Sequence, residues 1–316
     1  MKKWIIGVDI GGTKIAVSLG TVKGVIVSRI IFSSEQGKKA KKSIQQIADS
    51  INRLLSEPEI NKRDVAGVGI GVPGAIDPKT QVILKSPNLP SWEGVSLKKT
   101  IERQIKLPVL IENDANAAAL GEYFFGQGRG IDDFIYITVS TGIGSGIVAN
   151  GKLLRGHKGT AGEVGHMIVQ KDGRKCPCGK QGCLEAYGSG TAIAAYVRAA
   201  IKKGKRSKYF SGKNPLITGH SIAIAAKAGD SLAIEARELA ADYLGIGIAN
   251  VINLLNPKRV ILGGGVMEQI HHFWTPMMKA VKRETWPTMF RSTEILRSKL
   301  GNQVGDLGAM ALALYR

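Results

Sequence analysis

The chain carries one strand-and-turn pattern twice, and that duplication constrains its fold more than any other feature. "WIIGVDIGGTKIAVSLGTVKGVIVSRIIF" (4–32) and "FIYITVSTGIGSGIVANGKLLRG" (134–156) are both short β-rich runs broken by tight turns. The turns fall at Gly11-Gly12 and Val22-Lys23-Gly24 in the first, and at "STGIGSG" (140–146) and Asn150-Gly151 in the second. β-branched side chains suit a pleated strand, while glycine and asparagine accept the positive φ of a hairpin turn. Each stretch is predicted to be a three-stranded meander. After the first come a helix at 43–56 with Ile44, Ile47, Ile51 and Leu54 or Leu55 on one face, a buried strand at 65–77, and a strand at 107–114 running into the helix "ANAAALGEYFFG". After the second come helices near 190–203 and 220–255, a strand at 259–265, another helix, and the small-residue helix "GDLGAMALALYR". The expectation is a duplicated α/β protein with a cleft between its halves.

At 316 residues and 44% hydrophobic, the chain has enough apolar material for two packed cores. No run of eighteen uncharged apolar residues occurs, so no membrane span is expected. The formal net charge of +19 suits anionic ligands, nucleic acid or an acidic membrane surface. The densest basic stretches, 38–43 and 202–213, read as solvated surface, and no nucleic-acid partner is expected. "MKKWIIGVDIGG" has a basic start, but Asp9 interrupts its apolar run too early for a secretory signal. A cytoplasmic protein with reduced thiols is expected.

All three cysteines fall in "GHMIVQKDGRKCPCGKQGCLE" (165–185). An odd number leaves one thiol over in any disulfide scheme. Cys176, Cys178 and Cys183, with His166 ten residues ahead of the first, make a Cys3His set suited to tetrahedral zinc. Gly173, Gly179 and Gly182 allow the tight folding such convergence needs. Four protein ligands leave no open position for a reacting water, so the metal is expected to be structural.

"DIGGT" (9–13) sets an acidic residue at the carboxyl end of a strand, two glycines in the turn and a hydroxyl beyond. Such a turn can present backbone N–H groups to phosphate oxygens. Asp9 repels phosphate but can hold, through water, a metal ion that neutralises a triphosphate. The turn around Thr141, Gly142 and Gly144 offers the same features again. A Rossmann fingerprint would have to open a helix, whereas each turn here opens a strand, and no Walker-type P-loop is present. A third cluster, Gly263, Gly264 and Gly265, lies between strand and helix, either as a nucleoside platform or as a helix-entry turn. In "ENDAN" (112–116), Asp114 stands where a strand meets a helix, as a carboxylate able to accept a hydroxyl proton or as a helix N-cap.

"DIGGTKIA", "GVPGAID", "SPNLPSW", "ENDANAAALGE", "STGIGSGI", "GTAGEVGH", "CPCGKQGCLE" and "VILGGGV" together resemble, in order and spacing, the ROK family of bacterial sugar kinases and related repressors. The resemblance implies an α/β fold of two actin-like ATPase (ribonuclease H-like) domains with an interdomain cleft. It implies a small N-terminal domain at 1–116, completed by the last helix at about 303–316, and a larger one at 117–302 holding the zinc loop.

The activity implied is transfer of the γ-phosphoryl of ATP to the 6-hydroxyl of a hexose, with glucose first among the candidates. N-acetylmannosamine, N-acetylglucosamine, mannose and fructose follow, and polyphosphate is an alternative donor. Asp114 would be the catalytic base. Gly74, Asn88, Asn113, Asp114, Glu163, His166 and Glu185 would contact the sugar. Asp9, Gly11, Gly12, Thr13, Lys14, Thr141, Gly142, Gly144 and Gly263 to Gly265 would hold ATP and Mg2+. Structural zinc would fold the cysteine loop so that His166 and Glu185 face the sugar, and a homodimer is implied. The family's repressors carry a DNA-binding domain ahead of the first glycine turn, where the expected strand start at about Trp4 leaves no room. A zinc-organised sugar-binding module without turnover is the remaining alternative.

Overall fold

Alternating β-branched residues and glycine-bearing turns produce the meander expected at the N-terminus: β1 (Trp4–Ile10), β2 (Lys14–Thr21) and β3 (Ile26–Ser33), paired antiparallel. The computed structural model describes residues 2–34, 40–86, 89–211 and 215–315. The next elements are α1 (Ala40–Leu55), β4 (Val65–Val72), the short pair β5 (Ala75–Ile76) and β6 (Ile83–Lys85), α2 (Leu97–Ile105), β7 (Val109–Asn113) and α3 (Asp114–Phe125). The first sheet has the order β3-β2-β1-β4-β7, with β4 parallel to both β1 and β7. Ile44, Ile47, Ile51 and Leu54 of α1 are buried in one cluster with Val8, Ile15, Val17 and Ile70 of the sheet.

The second meander is β8 (Phe134–Val139), β9 (Ile143–Ala149) and β10 (Lys152–Leu153). Asn150 (φ 51°) and Gly151 (φ 70°) form its last turn, where both central residues need positive φ. Next in the chain come α4 (Glu185–Gly188), α5 (Gly190–Lys202), α6 (Gly219–Lys227), α7 (Ser231–Leu255), β11 (Arg259–Gly263), α8 (Gly265–Glu268), α9 (Trp274–Glu284), α10 (Pro287–Ser292), β12 (Glu294–Arg297) and α11 (Val304–Leu312). The second sheet, β10-β9-β8-β11-β12, repeats the order of the first: a meander, then two strands added on the side of its first strand. This duplication is the actin-like ATPase fold.

Several boundaries differ from expectation. The strand expected at 65–77 stops at Val72, and that expected at 259–265 stops at Gly263. The single helix expected at 220–255 is two, because Asp230 caps a new helix by accepting a hydrogen bond from the Ala233 N–H at 2.9 Å. By length and composition α7 could cross a bilayer, yet half of its most apolar window is buried. It packs against α4, α5, α6 and α9 and carries Glu235, Arg237, Glu238 and Asp242, which makes it a core helix.

The chain divides into two compact units: Met1–Tyr136 with Gly146–Gly162 and Ser298–Arg316, and Ile137–Ser145 with Glu163–Arg297. Within the first, α11 returns to pack on α3, β1 and β4. The approach is close enough that a Cβ on Gly121 would lie 2.9 Å from the Gly308 nitrogen, and one on Gly308 would lie 2.7 Å from the Ala117 carbonyl carbon. Only glycine permits this spacing at both positions. Gly121→Val is expected to destabilise the protein by about 1–3 kcal/mol through overpacking. A thermal melt checks this, and an unchanged Tm would show that α11 can give way.

Candidate functional site

In the first unit the turn between β1 and β2 is closed by the Gly11 N–H donating to the Lys14 carbonyl at 2.9 Å. Ser34 anchors it from below. Its N–H donates to the Thr13 carbonyl at 3.1 Å and its hydroxyl to the Gly12 carbonyl at 2.7 Å. With those carbonyls engaged, the N–H groups of Gly12 and Thr13 make no hydrogen bond among the described residues and remain available to an anion. Asp9 lies at the root of this turn, half-buried, with its carboxylate against Gly305 at the start of α11. Burial, then the neighbouring charges of Asp306 and Asp114, raise its pKa to about 6, opposed by Lys14 and Arg29.

Asp306 is itself buried, bonded by the Ser18 hydroxyl at 2.6 Å and paired with Arg29 Nη2 at 2.8 Å. This link ties α11 to β2 and β3 beside Asp9. A proton and a cation would compete for the Asp9 carboxylate. The resemblance implies Mg2+-bound nucleotide at this turn, and its apparent affinity is therefore expected to weaken as pH falls through about 6. Measuring the nucleotide KM across that range checks this, and a flat profile would argue against a cation held by Asp9.

At the junction of β7 and α3 the two candidate residues take different roles. Asn113 is the N-cap: its Oδ1 accepts from the N–H groups of Ala115 at 2.9 Å and Asn116 at 3.2 Å. Its Nδ2 donates to the Gly74 carbonyl at 3.0 Å, so the structure brings these two predicted residues together. Asp114 is the first helical residue and is exposed. Solvent reaches its carboxylate, but surrounding protein displaces enough water to raise its pKa, an effect partly offset by hydrogen bonds from Ala115, its own backbone and Asn113. Beneath it, buried Glu112 accepts from Arg155 Nε at 2.6 Å and from Asn116 Nδ2 at 3.1 Å. The junction is thus braced by an ion pair while Asp114 stays open. Asn88 lies outside the described residues.

In the second unit the turn after β8 repeats the arrangement. The Ser140 N–H donates to the Gly142 carbonyl at 2.9 Å, the Gly190 N–H donates to the Ser140 carbonyl at 2.8 Å, and the Thr191 hydroxyl donates to the Thr141 carbonyl. Glu185, the first residue of α4, accepts from the Ile143 N–H at 2.9 Å, and a side chain at Gly142 would strike its carboxylate. A cavity of about 480 Å³ includes Ser140, Thr141, Thr191, Gly265, Arg198 and Arg237 in its lining. That volume lies within the range of small-molecule sites. Arg237 is 1% exposed and has no carboxylate partner among the described residues. It donates to the backbone carbonyls of Gln269 and His271 and lies 5.1 Å from the Phe273 ring centre, and burial lowers its pKa to about 10.

The cysteine loop folds through backbone bonds from Cys176 N–H to the Lys180 carbonyl at 2.8 Å and from Gly182 N–H to the Arg174 carbonyl at 2.9 Å. Gly179 (φ 90°) and Gly182 (φ 81°) occupy left-handed positions that other residues rarely adopt. The potential ligand atoms of His166, Cys176, Cys178 and Cys183 all lie within 4.8 Å of one another. Cys178 and Cys183 sulfurs are 3.6 Å apart, close to the ~3.8 Å expected for two thiolates on one tetrahedral zinc. His166 Nδ1 is 3.9 Å from the Cys176 sulfur, while its Nε2 lies 3.9 Å from a Glu163 oxygen. One ring nitrogen therefore faces the thiols and the other faces away. Burial, with the neighbouring thiols, pushes Cys176 up to about 12, while the backbone hydrogen bond from Lys180 holds Cys178 below the usual thiol range, so Cys176 is a thiol that a dication would have to ionise. The donor set and spacing fit a structural metal ion.

Sequence reasoning missed Arg29, Asp306, Arg155 and Arg237. For two of these a signal existed. Asp306 is the single charge in an otherwise apolar small-residue helix, and Arg237 falls on the buried stripe of α7 with Ala233, Ala236, Ala240 and Ala241.

Comparison with known proteins agrees with the motifs. A profile of the ROK family matches residues 5–316. The glucokinase of Halalkalibacterium halodurans is 36% identical over 309 residues, covering 97% of this chain and 93% of that protein. The xylose repressor of Caldicellulosiruptor bescii is 33% identical over 311 residues, covering 98% of this chain and 78% of the repressor. A solved ROK family glucokinase from Streptomyces griseus, in complex with glucose and AMPPNP, matches with a TM-score of 0.82 at 37% identity, over 99% of this chain and 100% of that one. With the profile spanning nearly every residue and the duplicated sheets behind it, this chain belongs to the ROK family.

Proposed function

We propose that the chain is an ATP-dependent hexose kinase, a glucokinase first of all, transferring the γ-phosphoryl of ATP to a 6-hydroxyl. The observation that carries this is the Asp114 carboxylate: open to solvent, raised in pKa, and relieved of capping by Asn113. In phosphoryl transfer the protein mainly positions the reactants and stabilises charge, and one carboxylate accepts the proton of the attacking hydroxyl. Asp114 takes that proton. The N–H groups of Gly12 and Thr13, and the matching turn at Thr141 and Gly142, hold phosphate oxygens. Gly11, Lys14, Gly144, Gly263, Gly264 and Gly265 belong to the same nucleotide site. Asp9 would hold Mg2+ through water, which supplies charge neutralisation at the phosphates. The nucleoside occupies the cavity beside Gly265 and Arg237.

Sugar hydroxyls are read by Gly74, Asn88, Asn113, Glu163, His166 and Glu185. His166, Cys176, Cys178 and Cys183 would hold zinc, which would fix the His166 ring so that its outward nitrogen can meet a hydroxyl. A cytoplasmic homodimer is part of the same proposal. The test is coupled ADP release with ATP against glucose, mannose, fructose, N-acetylglucosamine and N-acetylmannosamine, repeated with polyphosphate as donor. Glucose is expected to give the highest kcat/KM, and the absence of turnover with every pair would sink the proposal. Relatives include a repressor, but an open base and two phosphate turns serve a kinase and are not required for sugar-responsive DNA binding.

A further inference from the structure

A second cavity in the second unit lies beside the one assigned to the nucleotide. It has a volume of about 680 Å³ and lies between the cysteine loop and the opposite side of α5. We propose that it is a second binding site, for a small amphiphilic anion: a carboxylate or phosphate monoester on an apolar body.

The apolar half of the argument comes from α5. Ala192, Ala195, Ala199 and Ala200 line the cavity at helical spacing, faced by Pro177 of the cysteine loop. Ala194 and Arg198 of the same helix line the nucleotide cavity instead, so α5 has a face for each. A floor of methyl groups offers nothing to a strongly hydrated ion and favours an apolar body.

The charged half comes from the rim. Arg174, Lys175, Lys203 and Lys205 are the cations there. Lys205 is neutralised by Glu235, with Nζ 2.6 and 2.7 Å from its two oxygens. Arg174 is different. Its guanidinium is 4.6 Å from the Tyr187 ring centre and 5.2 Å from that of Tyr196, and Nη1 donates to the Ala186 carbonyl at 3.5 Å. No carboxylate pairs with it among the described residues. A half-buried guanidinium, held between two rings and lacking an anion, is a preorganised receptor for carboxylate or phosphate.

The site also touches the proposed catalytic apparatus. Glu185, in its lining, bonds the Ile143 N–H, and Thr191, shared by both cavities, bonds the Thr141 carbonyl. An occupant would therefore alter the glucose KM, an effect that rests on the kinase proposal, whereas binding itself does not.

The test is isothermal titration of the purified zinc-loaded protein with octanoate and with phenyl phosphate, using octanol and inorganic phosphate as controls. Both amphiphilic anions are expected to bind saturably, and each control to bind at least about ten-fold more weakly, because it lacks either charge or apolar body. Arg174→Gln should weaken both anions by about ten-fold or more. Ala195 is exposed, so Ala195→Trp fills the cavity from a position that tolerates it and should abolish binding with kcat unchanged. It also keeps the test decisive if Arg174→Gln disturbs the loop. A preference for one of the two anions identifies which head group the site takes. No saturable binding, or binding that survives both substitutions, overturns the site. Intact anion binding in a protein that releases no ADP would instead sink the kinase proposal and leave this site standing.

Discussion

Asp114→Asn should lower kcat by about 10³-fold, within the range a positioned general base contributes, while shifting the glucose and nucleotide KM values only a few-fold. The amide keeps the shape and the hydrogen bond from Ala115 but cannot take a proton. Stability should hardly change, because Asp114 is exposed and the helix is capped by its neighbour. Asn113→Ala supplies the contrast, costing about 1 kcal/mol of stability through loss of the cap. The pH profile adds a second readout. Displacement of water by the surrounding protein holds the Asp114 pKa above the usual carboxylate range, so the base is lost as pH falls through that raised value. The wild-type rate should drop on its acid limb, and the residual rate of the asparagine variant should lack that limb. Near-normal turnover in the variant, or a loss of stability without loss of rate, would remove Asp114 from the role.

What could be read in advance divides along physical lines. The meanders were legible because period-two apolar runs and Asn-Gly or Gly-Gly turns have few other solutions, and the structure repeats them strand for strand. The cysteine cluster was legible because three thiols and a histidine in one glycine-bearing loop have little use in packing. Asn113 and Asp114 were ambiguous for a different reason. Both types cap helices, and which one does so depends on a single backbone position: Asn113 has φ −56° and ψ 143°, while Asp114 is already helical. The break between α6 and α7 was missed although Gly229 (φ 85°) and the Asp230 cap both mark it, because apolar residues resume at once on the far side. Buried charges were hardest. Arg155 reads as a surface residue until Glu112 is found 2.6 Å away, a pairing of positions 43 residues apart that no local pattern encodes.

Removal of Cys178, one of the four proposed metal ligands, is expected to have the second largest effect. Cys178 is exposed and has no part in the proposed sugar contacts, so Cys178→Ser isolates the contribution of the ion. Beyond its backbone hydrogen bonds, the cysteine loop has little apolar packing to order it. Its apolar support is a small cluster of Cys176, Cys183, Ala186 and Tyr187 with Val169 and Tyr243, and two of those members belong to the proposed metal set. Structural zinc supplies apparent binding free energies of about 10–16 kcal/mol in small domains, far beyond what such a cluster provides. The variant should therefore lose bound zinc, counted by elemental analysis. His166 loses its fixed ring, Glu185 loses the adjoining support of Cys183, and the glucose KM should rise by at least about ten-fold, as loss of an outer support does at metal-organised sites. The nucleotide KM should move less, since the Gly12–Thr13 turn and the lining of the cavity beside Gly265 include none of the four residues of the cysteine set. A chelator acting on the wild type should reproduce this split, and added zinc should reverse it. Cys178→Ser protein that retains one zinc per chain, or that loses it with the glucose KM unmoved, would separate the ion from sugar recognition.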